Sequence, residues 1–167
     1  RGGFGIDRRL VMHNDFVIVG PPADPAGIRG KSPVEAFQQI YKSGATFVSR
    51  GDESGTHVKE LALWEKAGLD PADRKWYLET GQGQGATLLV ASEKGGYALV
   101  DRGTYLAYKQ NLDLDILVEG DPFLLNVYHV ITVNPGKWPN TNGEAAKVFA
   151  DFITGTEGQK IIGEFGV

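Results

Sequence analysis

"FVSRGDESGTH", residues 47–57, sets an apolar run against an arginine, acids, hydroxyls and glycines at the point where a strand hands over to a helix. "ATFVS" (45–49) reads as the strand, and a helix is predicted from about Gly55 to Ala67, stopping at Gly68. Upstream, "DFVIVG" (15–20) reads as a buried strand ended by Gly20, Pro21 and Pro22. The helix after it starts with Ser32 as N-cap, Pro33 in the first turn and Glu35 three residues after the serine. Val34, Phe37, Ile40 and Tyr41 form its apolar stripe, and Gly44 closes it.

Downstream, "WYLET" (76–80) is strand-like, and "GQGQGATLLVASEKGG" (81–96) reads as a glycine loop, a short helix and a glycine stop. "YALV" (97–100) is a further strand, and Asp101 caps the helix that follows. "LDILVEG" (114–120) and "NVYHVITVN" (126–134) are the last strands, after which the chain reads as helical to its end. This alternation predicts a mostly parallel sheet with helices on its faces and right-handed crossovers. Ligands in such sheets sit beyond the carboxyl ends of strands, where residues 49–57, 80–87 and 100–104 fall.

A chain of 167 residues suits one domain or two small lobes, and 41% apolar content can build a core. The net charge of −4 gives no support for a nucleic-acid surface, so any bound anion needs a local arrangement that defeats the overall charge. The chain has no cysteine, which excludes disulfides, thiolate metal sites and cysteine nucleophiles. No apolar run approaches the ~20 residues that cross a bilayer. No signal peptide is visible, and the first residue, Arg1, reads as a processed or truncated start. No His, Asp or Glu cluster has metal-ligand spacing, so neither a metal nor a cofactor is expected. His13 and His129, in strand-like segments, read as ordinary core or edge histidines.

Three chemistries compete for residues 49–57. As a helix start, the stretch uses a serine or aspartate as cap and the acids as complements to the dipole. That leaves Arg50 unexplained, because it is a cation where the dipole disfavours one. As a nucleophile, Ser54 has His57 one helical turn away, but no third group orients the base and the spacing fits no nucleophile elbow. As an anion site, every part has work. Helix N–H groups carry partial positive charge, Gly55 lets a ligand approach the backbone, and Ser54 and Thr56 add hydroxyls. Arg50 adds a full charge on a fork of donors, which Asp52 can brace. No phosphate-binding P-loop pattern is present.

Arg50-x-Asp52-x-Ser54-Gly55-Thr56 resembles the oxyanion-binding segment of phosphate-binding proteins from ABC importers. The longer string "SRGDESGTH", with "MHNDFVIVGPPADPAGI" upstream and "GQGQGATL", "YALVDRGTYLAY" and "LLNVYHVITVNP" downstream, is similar to the tungstate-binding proteins of ABC-type tungstate importers. The likeness runs in order over essentially the whole chain. It implies an α/β, two-lobed periplasmic-binding-protein fold with tungstate held between lobes and delivered to a membrane permease driven by an ATPase. It assigns 1–21 to a remnant of the first lobe and a crossover strand, and 22–125 to a nearly complete second lobe. Residues 126–167 become the return strand and the C-terminal helices of a partial first lobe. The family begins with a further segment carrying a threonine- and serine-rich anion-binding turn, whereas "RGGFGIDRR" matches a point well inside it. The resemblance therefore leads us to expect half of the cleft, weakened affinity, and exposed first-lobe surface that invites self-association.

The expected function is capture of tungstate or molybdate by an extracytoplasmic or periplasmic protein that meets the membrane only through its transporter. Arg50, Ser54, Gly55 and Thr56 are the oxyanion-binding candidates, with Asp52 in support. Gly85 and Ala86 are secondary candidates at another helix start, where a packing turn accounts for them better. Trp64, Trp76, Trp138, Tyr105 and Tyr108 read as packing residues. The alternatives are a phosphate- or sulfate-binding protein, the effector-binding domain of a regulator, and a serine hydrolase built on Ser54 and His57.

Overall fold

The computed structural model describes residues 2–164; the expected helical end at 165–167 lies outside them, as does Arg1. Its contacts divide the chain into two compact units, Asn14–Leu125 and a terminal unit made of Arg1–His13 with Asn126–Val167. Among the described residues no helix is long and apolar enough to cross a membrane.

In the Asn14–Leu125 unit the elements run as the end of β1 (Gly5–Gly20), α1 (Pro33–Ser43), β2 (Phe47–Ser49), α2 (Gly55–Ala67), β3 (Tyr77–Glu79), α3 (Gln84–Lys94), β4 (Ala98–Asp101), α4 (Arg102–Tyr108) and β5 (Asp115–Val118). The local signals hold. Ser32 and Glu35 form a capping box, Asp101 caps α4 through the Thr104 amide, and Gly44, Gly68 and Gly95 close α1, α2 and α3 in left-handed conformations.

The mostly parallel sheet expected from the alternation is corrected to a mixed one. β2 pairs parallel with β3, and a parallel bridge from Phe47 to Tyr97 ties β2 to the start of β4. β1, however, pairs antiparallel with β4 from Phe16–Asp101 to Val19–Ala98, and antiparallel with β5, with a bulge between Ile18 and Val19. The sequence pattern does not register this, because burial on both faces makes an unbroken apolar run in either strand direction. Successive residues of β1 point to opposite faces. Phe16 and Ile18 join a core with Phe37, Ile40, Phe47 and Trp64, whereas Val17 and Val19 join Leu88, Val100 and Tyr105. Trp64 packs on Phe37 with ring centroids 4.3 Å apart and on Phe47 at 5.3 Å.

The terminal unit holds the first part of β1, then β6 (Leu125–Val133), α5 (Gly143–Thr154) and α6 (Thr156–Glu164). β6 pairs with β1, and the Asn134 amide extends the pairing to the Phe4 carbonyl at 2.8 Å. Asn142 caps α5. Arg9 joins Asp7 and Asp151, at 2.5 and 2.6 Å. Among this unit's described residues only Val11 and Ala150 are buried apolar side chains, while Phe4, Leu10, Val148 and Phe149 are exposed. Trp138, expected to pack, is 53% exposed.

Candidate functional site

β2 ends at Ser49, and the backbone then turns through Gly51 (φ +58°) and Glu53 (φ +57°) before α2 begins at Gly55. Gly51 is required twice over. Its left-handed φ suits glycine, and a Cβ there would lie 2.8 Å from the Glu79 Cβ. The loop after β3 is stitched to this turn: Thr80 N–H donates to the Ser49 carbonyl at 3.0 Å, and Gly81 N–H to the Arg50 carbonyl at 2.8 Å. The loop after β3 thus anchors the consecutive carbonyls of Ser49 and Arg50.

The Arg50 side chain is mostly buried. Its Nη2 donates to Asp52 Oδ2 and its Nη1 to Gln84 Oε1 at 3.5 Å. Its Nε is buried with no hydrogen-bond partner, the only such side-chain atom among the described residues. Asp52 is committed on both oxygens, since Oδ1 accepts from the Ser54 amide at 3.2 Å. Burial alone would raise the Asp52 pKa, but hydrogen bonds from Ser54 and Arg50 together hold it below the usual carboxylate value.

Ser54 is the N-cap of α2; its Oγ accepts from the His57 amide at 3.3 Å. The cap serves His57, and the Val58 amide bonds the Ser54 carbonyl. The amides of Gly55 and Thr56 are the ones the helix itself does not pair. Gly55 is exposed, with open space where a Cβ would stand, and Thr56 is buried. The structure therefore brings Arg50, Asp52 and Ser54 into one hydrogen-bonded turn, with Gly55 and Thr56 as its helical continuation. His57 Nδ1 accepts from the Glu53 amide at 3.1 Å, so that nitrogen is occupied and cannot take a proton from Ser54.

Gly85 follows Gln84 at the start of α3, and a Cβ there would meet the Tyr108 ring at 2.4 Å. Its smallness serves packing, and Ala86 is half-buried beside it. The residue pattern points to the stretch 80–87 without singling out three participants in it: Gln84, whose Nε2 donates to the Leu99 carbonyl at 3.1 Å while its Oε1 receives Arg50; Thr80, whose Oγ1 is 2.9 Å from Thr87 Oγ1; and Gly81. The glycine loop before α3 is the one hint the residues themselves give. A surface cleft of about 440 Å³ lined by Val133, Trp138 and Thr141 lies in the terminal unit and contains none of the predicted site residues.

Known proteins match this chain closely. A putative ABC transporter anion-binding protein of Haloferax volcanii is 51% identical over 98% of the chain and 49% of its own length. The tungstate-binding protein TupA of Peptoclostridium acidaminophilum is 46% identical over 98% of the chain and 58% of its own length. The chain thus spans about half the length of the curated relatives it matches. The solved structure of the tungstate ABC transporter from Geobacter sulfurreducens is 50% identical, superposes with a TM-score of 0.87, and is covered over 69% of its chain by 98% of this one. The family model described as a PBP superfamily domain matches residues 1–157, and the chain belongs to that superfamily.

Proposed function

We propose that the chain is the anion-capturing part of a solute-binding protein of an ABC importer and is not an enzyme. Its guest is a fully deprotonated tetrahedral oxyanion, tungstate first and molybdate second. The observation that carries this reading is Arg50, a clamped guanidinium whose buried Nε lacks a protein partner at the mouth of α2. A buried donor left unpaired costs ~1–3 kcal/mol, which an acceptor from outside removes. Arg50, the Ser54 hydroxyl and the Gly55 and Thr56 amides are the donors, and Asp52 braces Arg50. Both Asp52 oxygens already accept from within the turn, from Arg50 and from the Ser54 amide, which assigns this acid to bracing the donors. The named relatives support the same ligand class.

Titration calorimetry with tungstate, molybdate, sulfate and phosphate tests the reading. Tungstate binds tightest, and Arg50→Ala weakens it by ~2–5 kcal/mol, the range for truncating a buried, hydrogen-bonded charge. Equal affinity for phosphate rejects the ligand. In this reading residues 22–125 form one lobe and the flanking segments belong to the other. The protein works outside the cytoplasm and hands its guest to a membrane permease. The exposed apolar side chains of the terminal unit support self-association, which sedimentation over a concentration series detects.

A further inference from the structure

Beneath the Arg50 turn lies a carboxylate that none of the chemistry above uses. Glu60, on the second turn of α2, is only 2% exposed, yet it meets donors from three elements. Ser49 Oγ of β2 donates to its Oε2 at 2.7 Å, while Tyr77 Oη of β3 and Trp64 Nε1 of α2 itself reach its Oε1 at 2.7 and 3.1 Å. A core position between Trp64 and Tyr77 is more cheaply filled by an apolar side chain, because a buried carboxyl must be desolvated. Burial does push the Glu60 carboxyl above its ordinary pKa, against the pull of its three donors.

Hydroxyl chemistry gives the carboxylate a use. Ser49 has one proton and two lone pairs. With that proton sent to Glu60, only lone pairs face the Gly51 amide, which donates to Ser49 Oγ at 3.2 Å. Ser49 and Gly51 flank Arg50, and Gly51 carries the left-handed φ that turns the chain. We propose that Glu60 is a positioning residue for the anion site: through the Ser49 hydroxyl it holds the Gly51 amide, and thereby fixes the direction in which the backbone presents Arg50. The inference rests on the oxyanion reading of the turn.

The test uses Ser49→Ala, which cuts the link; Glu60→Gln, which keeps shape but leaves one acceptor for three donors; and Tyr77→Phe, which removes a donor on the far oxygen. Ser49→Ala and Glu60→Gln each weaken tungstate binding by about tenfold, the size of one hydrogen bond, and the double variant loses no more than the worse single one. Tyr77→Phe lowers Tm but leaves affinity within about threefold. In the ligand-free chain the Gly51 amide resonance shifts and exchanges faster in Ser49→Ala and Glu60→Gln, not in Tyr77→Phe. If Glu60→Gln does not fold, the contrast between Ser49→Ala and Tyr77→Phe decides alone. Tungstate binding by the parent with equal binding by Ser49→Ala refutes the positioning role only, as do additive losses that track Tm. No tungstate binding by the parent refutes the site and the positioning role together.

Discussion

Helices α1 and α5 are alike as sequence and opposite in situation. Both begin with a side-chain cap, Ser32 and Asn142, both carry an acid in the first turn, and both place apolar residues on one face. α1 buries Ala36, Phe37 and Ile40 against the Trp64 cluster and keeps Val34 and Tyr41 half-buried. α5 buries Ala150 but leaves Phe149 56% exposed, with Val148 and Phe152 exposed beside it. An amphipathic pattern therefore states which face of a helix wants covering and says nothing about what covers it. The 14–125 unit has its own core, while the terminal unit presents apolar surface of the kind that marks interaction sites.

That contrast predicts unequal responses to mutation. Trp64→Ala empties the centre of the larger core and lowers stability by ~3–5 kcal/mol in denaturant unfolding; a smaller loss would show that this core is loosely packed. Asp15 comes next. Its hydrogen bonds from Arg102, at 2.8 and 2.6 Å, outweigh burial and hold its pKa below the ordinary aspartate value. A depressed folded-state pKa contributes stability above the unfolded value that is lost as pH falls through the folded one. Asp15→Asn therefore costs ~1 kcal/mol at neutral pH and nothing once acid has protonated the parent, which unfolding measured across a pH series checks. The acids around Arg9, Asp7 and Asp151, are more exposed than Asp15, so salt screens that cluster more strongly than this pair. Ser32→Ala, which removes a capping box on exposed surface, costs ~1 kcal/mol in the same unfolding measurement. Smallest of all, Phe149→Ser changes stability by under ~0.5 kcal/mol while reducing self-association in sedimentation; a large loss would mean that α5 is covered after all.

The same distinction explains how much the residues disclose by themselves. Caps at Ser32, Ser54 and Asp101 and stops at Gly44 and Gly68 are legible because each is settled within four residues of chain. Arg50 and Asp52 are legible as a pair for the same reason. Gln84, 34 residues from Arg50, and Ser49 with Glu60, 11 apart, are not, since only the parallel pairing of β2 with β3 and the packing of α2 bring such groups together. Strand direction in β1 is hidden by burial on both faces. Trp138 reads as packing from residue type alone, and residue type does not say whether a packing partner exists.

Gly85, finally, has an influence larger than its size. It rests against the Tyr108 ring where a methyl group would collide, so an aromatic at the far end of α4 governs how deeply α3 can seat. Gln84 is the preceding residue, and its amide is the hand that steadies Arg50. An alanine at 85 would press Gln84 and the Tyr108 ring apart, and on the proposed reading that shift would be felt at Arg50.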